Sequence, residues 1–114
     1  MSKGYKVYLE DILEAAGKIR RYSEGMDFEA FSGNSLTSDA VIRNLLIIGE
    51  AAKRVPAEIK KQHPDIEWKK ISGLRDILVH EYSAVDMAIV WDVVTNKLPA
   101  LETAVRTILD GYNG

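Results

Sequence analysis

Between Thr37 and Pro56 the apolar residues Val41, Ile42, Leu45, Leu46, Ile48, Ala51 and Ala52 recur three and four apart. That is the spacing of an α-helical face, not the alternation of a strand. The row covers much of the circumference, so it has to be packed from more than one side and reads as the central helix of a bundle. Thr37 or Ser35 is the expected cap. Asp39 is expected in the first turn, where a carboxylate favours the positive end of the helix dipole.

The remaining segments arrange themselves around this helix. From Tyr5 to about Tyr22, Val7, Tyr8, Ile12, Ala15, Ala16 and Ile19 repeat at helical spacing, and Ser23-Glu24-Gly25 ends the run. Phe28 to Phe31 can form a short turn. Pro56 suits the first turn of a short helix over Ala57 to Gln62, closed by His63-Pro64-Asp65. A further helix is expected from about Trp68 to Glu81. A last one, capped by Ser83 or Asp86, carries Ile89, Val90, Val93, Val94, Leu98, Leu101, Val105, Ile108 and Leu109 as far as Asp110-Gly111. Pro99 lies inside that last pattern and should kink or divide it. No segment alternates between turn signals as a strand hairpin would. The expectation is an all-α bundle, antiparallel where connections are short, of four long helices plus a short one.

At 114 residues, 46% of them hydrophobic and 28% charged, the chain suits one hydrophobic core and one globular domain over residues 1–114. It has no cysteine, which excludes disulfides, zinc-thiolate sites and thiol catalysis. No apolar run approaches the roughly 20 residues needed to cross a bilayer, and no apolar signal core follows Lys3. The expected location is therefore the cytoplasm, with no membrane partner. A net charge of −2 weighs against a broad nucleic-acid-binding surface. The pairs Arg20-Arg21, Lys53-Arg54, Lys60-Lys61 and Lys69-Lys70 read as solvated helix faces. No carboxylate and histidine cluster has metal-ligand spacing, so neither a metal nor a cofactor is expected, and His63 reads as a loop residue. Trp68 and Trp91 read as core anchors rather than base-stacking platforms.

Chemistry concentrates in Arg75-Asp76-Ile77-Leu78-Val79-His80-Glu81-Tyr82. Arg75 can hold a phosphate through its fork, and His80 can move a proton near neutral pH. On a helical wheel Ile71, Leu74, Ile77 and Leu78 form a stripe toward the core. Ser72, Asp76 and His80 stack on the opposite side with Gly73, and Arg75 and Val79 lie at the border. Gly49, inside a strongly apolar helix, reads as a close helix–helix contact. Glu50 can cap, pair with Lys53 or Arg54, or reach the Arg75 region.

The segment Trp68 to Tyr82 resembles the signature of HepT-like proteins in the HEPN superfamily: Arg, a polar residue, three positions, His, then Tyr two further on. Ala40 to Ala52 is similar to that family's central helix, including its Ile-Gly-Glu-Ala step at Ile48 to Ala51. The N-terminal helix and the Val85-Asp86 to Val90-Trp91 region fit as well, so the likeness covers nearly the whole chain. It implies an all-α HEPN-type homodimer acting as a metal-independent endoribonuclease, commonly the toxin of a type II or type VII-like toxin–antitoxin pair. Residue by residue, Arg75 and His80 match the catalytic positions, Asp76 the supporting polar position, and Tyr82 the motif tyrosine. The partner implied is a minimal nucleotidyltransferase (MntA-like) antitoxin, which can transfer AMP to that tyrosine. The other reading of Tyr82 is that it packs near the helix end with its hydroxyl at the rim.

These residue types suit RNA cleavage through the neighbouring 2′-hydroxyl, which needs a base, an acid and positive charge for the transition state. His80 is the expected acid or base, and Arg75 holds the non-bridging oxygens. Asp76 can orient the imidazole or favour its protonated form. One histidine serves both proton transfers awkwardly, so a composite site between two copies is expected. The competing reading is a non-catalytic helical subunit that docks a nucleotidyltransferase, and a third is a plain helical adaptor.

Overall fold

The structure, a computed structural model, describes residues 4–80 and 86–112, with Val79 and His80 described at the backbone only. Tyr82, Glu81 and Ser83 lie outside the described residues. Among those described there is no strand, and the all-α HEPN-type expectation holds.

Helix α1 spans Gly4–Tyr22 and buries Leu9, Ile12, Ala15, Ala16 and Ile19. Arg20 and Arg21 occupy its last turn, where cations favour the negative end of the dipole. The chain then turns through Gly25, whose φ of 77° is the left-handed region that favours glycine. Val7, expected on the buried face, is exposed, because it projects well to the side of the Leu9–Ile12–Ile19 row. The short helix α2, Phe28–Ser32, is capped by Asp27, whose side chain accepts from the Ala30 N–H at 2.8 Å. It sets Phe31 fully inside the core, with its ring 4.9 Å from that of Trp91.

Helix α3 spans Ser35–Arg54. Its cap is Asn34 rather than Thr37 or Ser35. The Asn34 side chain accepts from the Thr37 N–H at 3.0 Å, so the helix begins earlier than its apolar row and Asp39 falls beyond the first turn. A short polar residue one step before the helix can bond its free N–H groups without entering it. Val41, Ile42, Leu45, Ile48, Ala51 and Ala52 are buried. The buried Asn44 is satisfied by donating to the Ala40 carbonyl at 2.9 Å.

Helix α4, Ala57–Gln62, follows Pro56, which occupies the cap position just outside it. Helix α5 is Trp68–His80. The buried Trp68 donates its indole N–H to the His63 carbonyl at 3.1 Å and so ties the loop to the start of α5. Asp86 caps α6, Met87–Asp92, by accepting from the Ala88 N–H at 2.8 Å.

The expected division at Pro99 takes a specific form. Five residues, Val93–Lys97, make a π-helical turn, and helix α7 continues over Leu98–Asp110 with Pro99 in its first turn. Proline has no N–H for the preceding turn and its ring crowds the carbonyl there, so the helix widens just before it instead of breaking. The four long helices are thus α1, α3, α5 and the interrupted rod 87–110.

Helix α3 packs against α1 on one side and α5 on another, while α1 also packs on α7. This makes α3 the central helix, as its wide apolar face requires. No helix among the described residues is long and apolar enough to cross a membrane.

Candidate active site

Helix α5 is seated by a narrow apolar edge. Leu78 is 1% exposed, and Ile71 and Leu74 are half-buried against the core. Ile77, expected in the same stripe, is instead 52% exposed. Among the described residues α3 is the main helix packed on α5, so the buried sector is narrower than a helix flanked on two sides would have. On the wheel, Ile77 lies about 60° beyond Leu74, away from α3.

The contact with α3 is unusually close at one point. A methyl group added to Gly49 would lie 3.2 Å from both the Arg75 Cα and the Ile71 carbonyl oxygen, and closer still to the Arg75 Cβ. The absent side chain of Gly49 is therefore the seat of Arg75. The glycine inside an apolar helix was the sequence signal for this approach, although its partner could not be read from it.

Next to that seat, Glu50 Oε2 accepts from Arg75 Nε at 2.8 Å. Asp76 Oδ1 accepts from Arg75 Nη1 at 3.0 Å. The Arg75 side chain retains 28% of its accessible surface, which places it at the border of the helix face as the wheel implies. Its hydrogen bond to Asp76, followed by that to Glu50, holds the guanidinium pKa above its ordinary value. The other Glu50 oxygen, Oε1, stands 3.9 Å from Arg54 Nε. Of the three roles open to Glu50 in the sequence, the structure thus selects two: it pairs with Arg54 and it reaches the motif helix.

Asp76 projects outward as expected, and its oxygen engages Arg75. Ser72 departs from the expected outer face, since its Oγ is buried and has no hydrogen-bond partner among the described residues. Nothing approaches the open side of Gly73 within 4 Å. His80 is the last described residue of α5, five residues after Arg75; its side chain, like Tyr82, lies outside the described residues. Among those described, no group of three or more His, Asp or Glu side chains comes together as a metal site would require.

A separate cleft of about 290 Å³ opens between α3, α5 and α7. Leu45, Ile48, Leu74, Val93 and Leu101 line it together with Glu67 and Lys97. It does not include Arg75.

An all-α fold whose central helix seats an arginine of a facing helix, with a histidine five residues on, defines the class as a HEPN-type helical domain. The profile of the family described as ribonuclease HepT-like matches residues 12–108, and the chain belongs to that family. A relative in Thermococcus cleftensis bearing the name "Probable ribonuclease HepT" is 41% identical over 102 residues, covering 90% of this chain and 93% of its own. A protein of Caldanaerobacter subterraneus named as an RNase is 39% identical over 102 residues, with coverages of 90% and 91%. Another so named, from Methanocaldococcus jannaschii, is 35% identical over 109 residues, with coverages of 96% and 90%. No solved structure gives a significant match.

Proposed function

We propose that this protein is a metal-independent endoribonuclease whose reaction is carried by Arg75 and His80. The observation that carries the proposal is Arg75 itself. It is a guanidinium held by carboxylates on a helix that carries a histidine five residues further on, in a member of a family whose relatives are named for RNase activity.

In the proposed reaction, a base removes the proton of the RNA 2′-hydroxyl and the 2′-oxygen bonds to the adjacent phosphorus. The bond to the 5′-oxygen breaks and that oxygen takes a proton, leaving a 2′,3′-cyclic phosphate and a 5′-hydroxyl. Arg75 stabilises the charge on the non-bridging oxygens and His80 transfers a proton. Around one helix the two residues are about 140° apart, so a single copy does not readily bring both to one phosphate. Two copies related by a two-fold axis bring Arg75 of one toward His80 of the other. The exposed Ile77 and the open side of Gly73 give that outer face a surface suited to a second copy.

The wider role that suits this activity is that of a toxin in a toxin–antitoxin pair, silenced by a nucleotidyltransferase antitoxin. In that step the Tyr82 phenol attacks the α-phosphorus of ATP, loses its proton, and pyrophosphate leaves. Incubation with such an antitoxin and ATP should add the mass of AMP to Tyr82, and an unchanged mass would overturn this part.

The central experiment incubates the protein and its His80→Ala and Arg75→Ala variants with total RNA in EDTA. The expected result is cleavage by the unsubstituted protein alone. Cleavage unchanged in both variants would overturn the site. A wholly inactive protein would favour the non-catalytic subunit, a reading consistent with a guanidinium already paired to two carboxylates.

A further inference from the structure

We infer that Glu50 is the positioning residue of Arg75: from the central helix it holds Nε, so that the Nη end of the guanidinium is presented to a substrate phosphate. The inference rests on the ribonuclease reading above.

The geometry separates the two carboxylates by what each can do. Glu50 sits on α3, across the helix interface, and takes the inner nitrogen Nε at 2.8 Å. Asp76 sits on α5 beside Arg75, is more exposed, and takes the terminal nitrogen Nη1 at 3.0 Å. A phosphate recognised end-on by a guanidinium uses Nη1 and Nη2. An incoming phosphate can therefore take the place of Asp76 at Nη1 without disturbing the bond between Nε and Glu50. Glu50 remains as a hinge, and Asp76 is the ligand that gives way.

Two further features support Glu50 as a fixed point. Gly49, the preceding residue, lets α3 and α5 approach until no room for a methyl group is left between its Cα and the root of Arg75, which brings the Glu50 side chain within reach of Nε. Arg54, one turn further along α3, stands 3.9 Å from the second Glu50 oxygen, which adds a positive charge on that side of the carboxylate. An arginine side chain otherwise has many rotamers to lose on ordering. Here its root is seated on Gly49 and its inner nitrogen is held before any substrate arrives, which is the preorganisation that transition-state stabilisation needs. A partly exposed ion pair contributes little to stability, so the value of this one lies in where it places the guanidinium.

The test compares Glu50→Ala, Glu50→Gln and Arg75→Ala in steady-state RNA cleavage, with thermal unfolding recorded for each and the NMR signal of the Arg75 Nε–H recorded for the unsubstituted protein and the two Glu50 variants. Glu50→Ala should lower kcat by about 100-fold, the cost of a misplaced catalytic group, with a smaller change in KM. It should also release the Nε–H to rapid solvent exchange. Glu50→Gln keeps a carbonyl oxygen to accept the Nε–H and should recover most of the activity and the slow exchange. Wild-type cleavage by Glu50→Ala alongside an inactive Arg75→Ala would overturn the positioning role and leave the ribonuclease reading intact. Equal losses in Glu50→Ala and Glu50→Gln that follow a drop in Tm would assign Glu50 a structural role and also overturn the inference. Absence of cleavage by the unsubstituted protein would overturn the ribonuclease reading, and the inference with it.

Discussion

Two glycines on facing helices should respond to the same substitution with opposite signs. In Gly49→Ala the new methyl group meets the Arg75 Cα and the Ile71 carbonyl oxygen at 3.2 Å and the Arg75 Cβ more closely. These are backbone and root atoms that no rotamer change can move. Helix α5 has to retreat by roughly 1 Å, a shift comparable with the spread of separations that contact side chains impose on helix pairs. Such overpacking costs about 1–3 kcal/mol, against which alanine in place of glycine in a helix contributes about 1 kcal/mol. The net expectation is a loss of about 1 kcal/mol, with an upper bound near 2, which lowers Tm by about 4–8 °C per kcal/mol in a domain near this size. Gly73 is also helical, yet a methyl group there meets nothing within 4 Å. Gly73→Ala should therefore gain about 1 kcal/mol from helix propensity alone. Urea unfolding of the three proteins, read by far-UV circular dichroism, measures both effects, and RNA cleavage measures whether the displaced Arg75 loses activity, by about 100-fold for a shift of this size. Gly49→Ala at least as stable as the unsubstituted protein would refute the close α3–α5 contact on which the site geometry depends.

Other expectations follow from single contacts. Leu78→Ala removes a fully buried side chain from the base of α5 and should cost about 2–5 kcal/mol in denaturant unfolding; a cost below about 1 kcal/mol, the scale of a surface change, would mean that α5 is not packed as described. Asn34→Ala takes away the acceptor of the Thr37 N–H and should cost about 1 kcal/mol, with Asn34→Asp close to neutral. Trp68→Phe keeps one aromatic ring but loses the bond to the His63 carbonyl and the buried volume of the pyrrole ring, an expected loss of about 1–4 kcal/mol. The Glu67 carboxyl is held below its ordinary pKa by its hydrogen bond to Lys70, then by the charges of Lys70 and Lys97. A carboxyl with a lowered folded-state pKa supports stability above its unfolded pKa and loses that support as pH falls through the folded value. Glu67→Gln should therefore flatten the acid side of the stability–pH profile, more visibly at low salt than at high salt.

The helices, their breaks and the identity of the central one were legible in the sequence, because each depends on spacing along one segment and on residues at its ends. The short helix at Ala57–Gln62 and the end of α1 near Gly25 follow from proline and glycine chemistry that acts locally. Caps were less secure. Thr37, Ser35 and Asn34 can all accept an N–H, and which one does so depends on where the chain entering α3 comes from.

Three features were decided by the tertiary structure, and each is a relation between elements. Ile77 belongs to an apolar stripe by periodicity, but it is exposed because, among the described residues, α5 packs mainly on α3 and Ile77 points away from it. Gly49 signals a close approach, but only the bundle reveals that the neighbour is Arg75. Glu50 had three possible roles at its sequence position, and the packing of α3 on α5 gave it the Arg75 guanidinium in addition to its contact with Arg54. The sequence by itself determined which residues could do chemistry, since that is a property of side-chain type and of motif spacing. The tertiary structure alone decided how the arginine is held, since residues 25 positions apart meet only when two helices pack at a glycine.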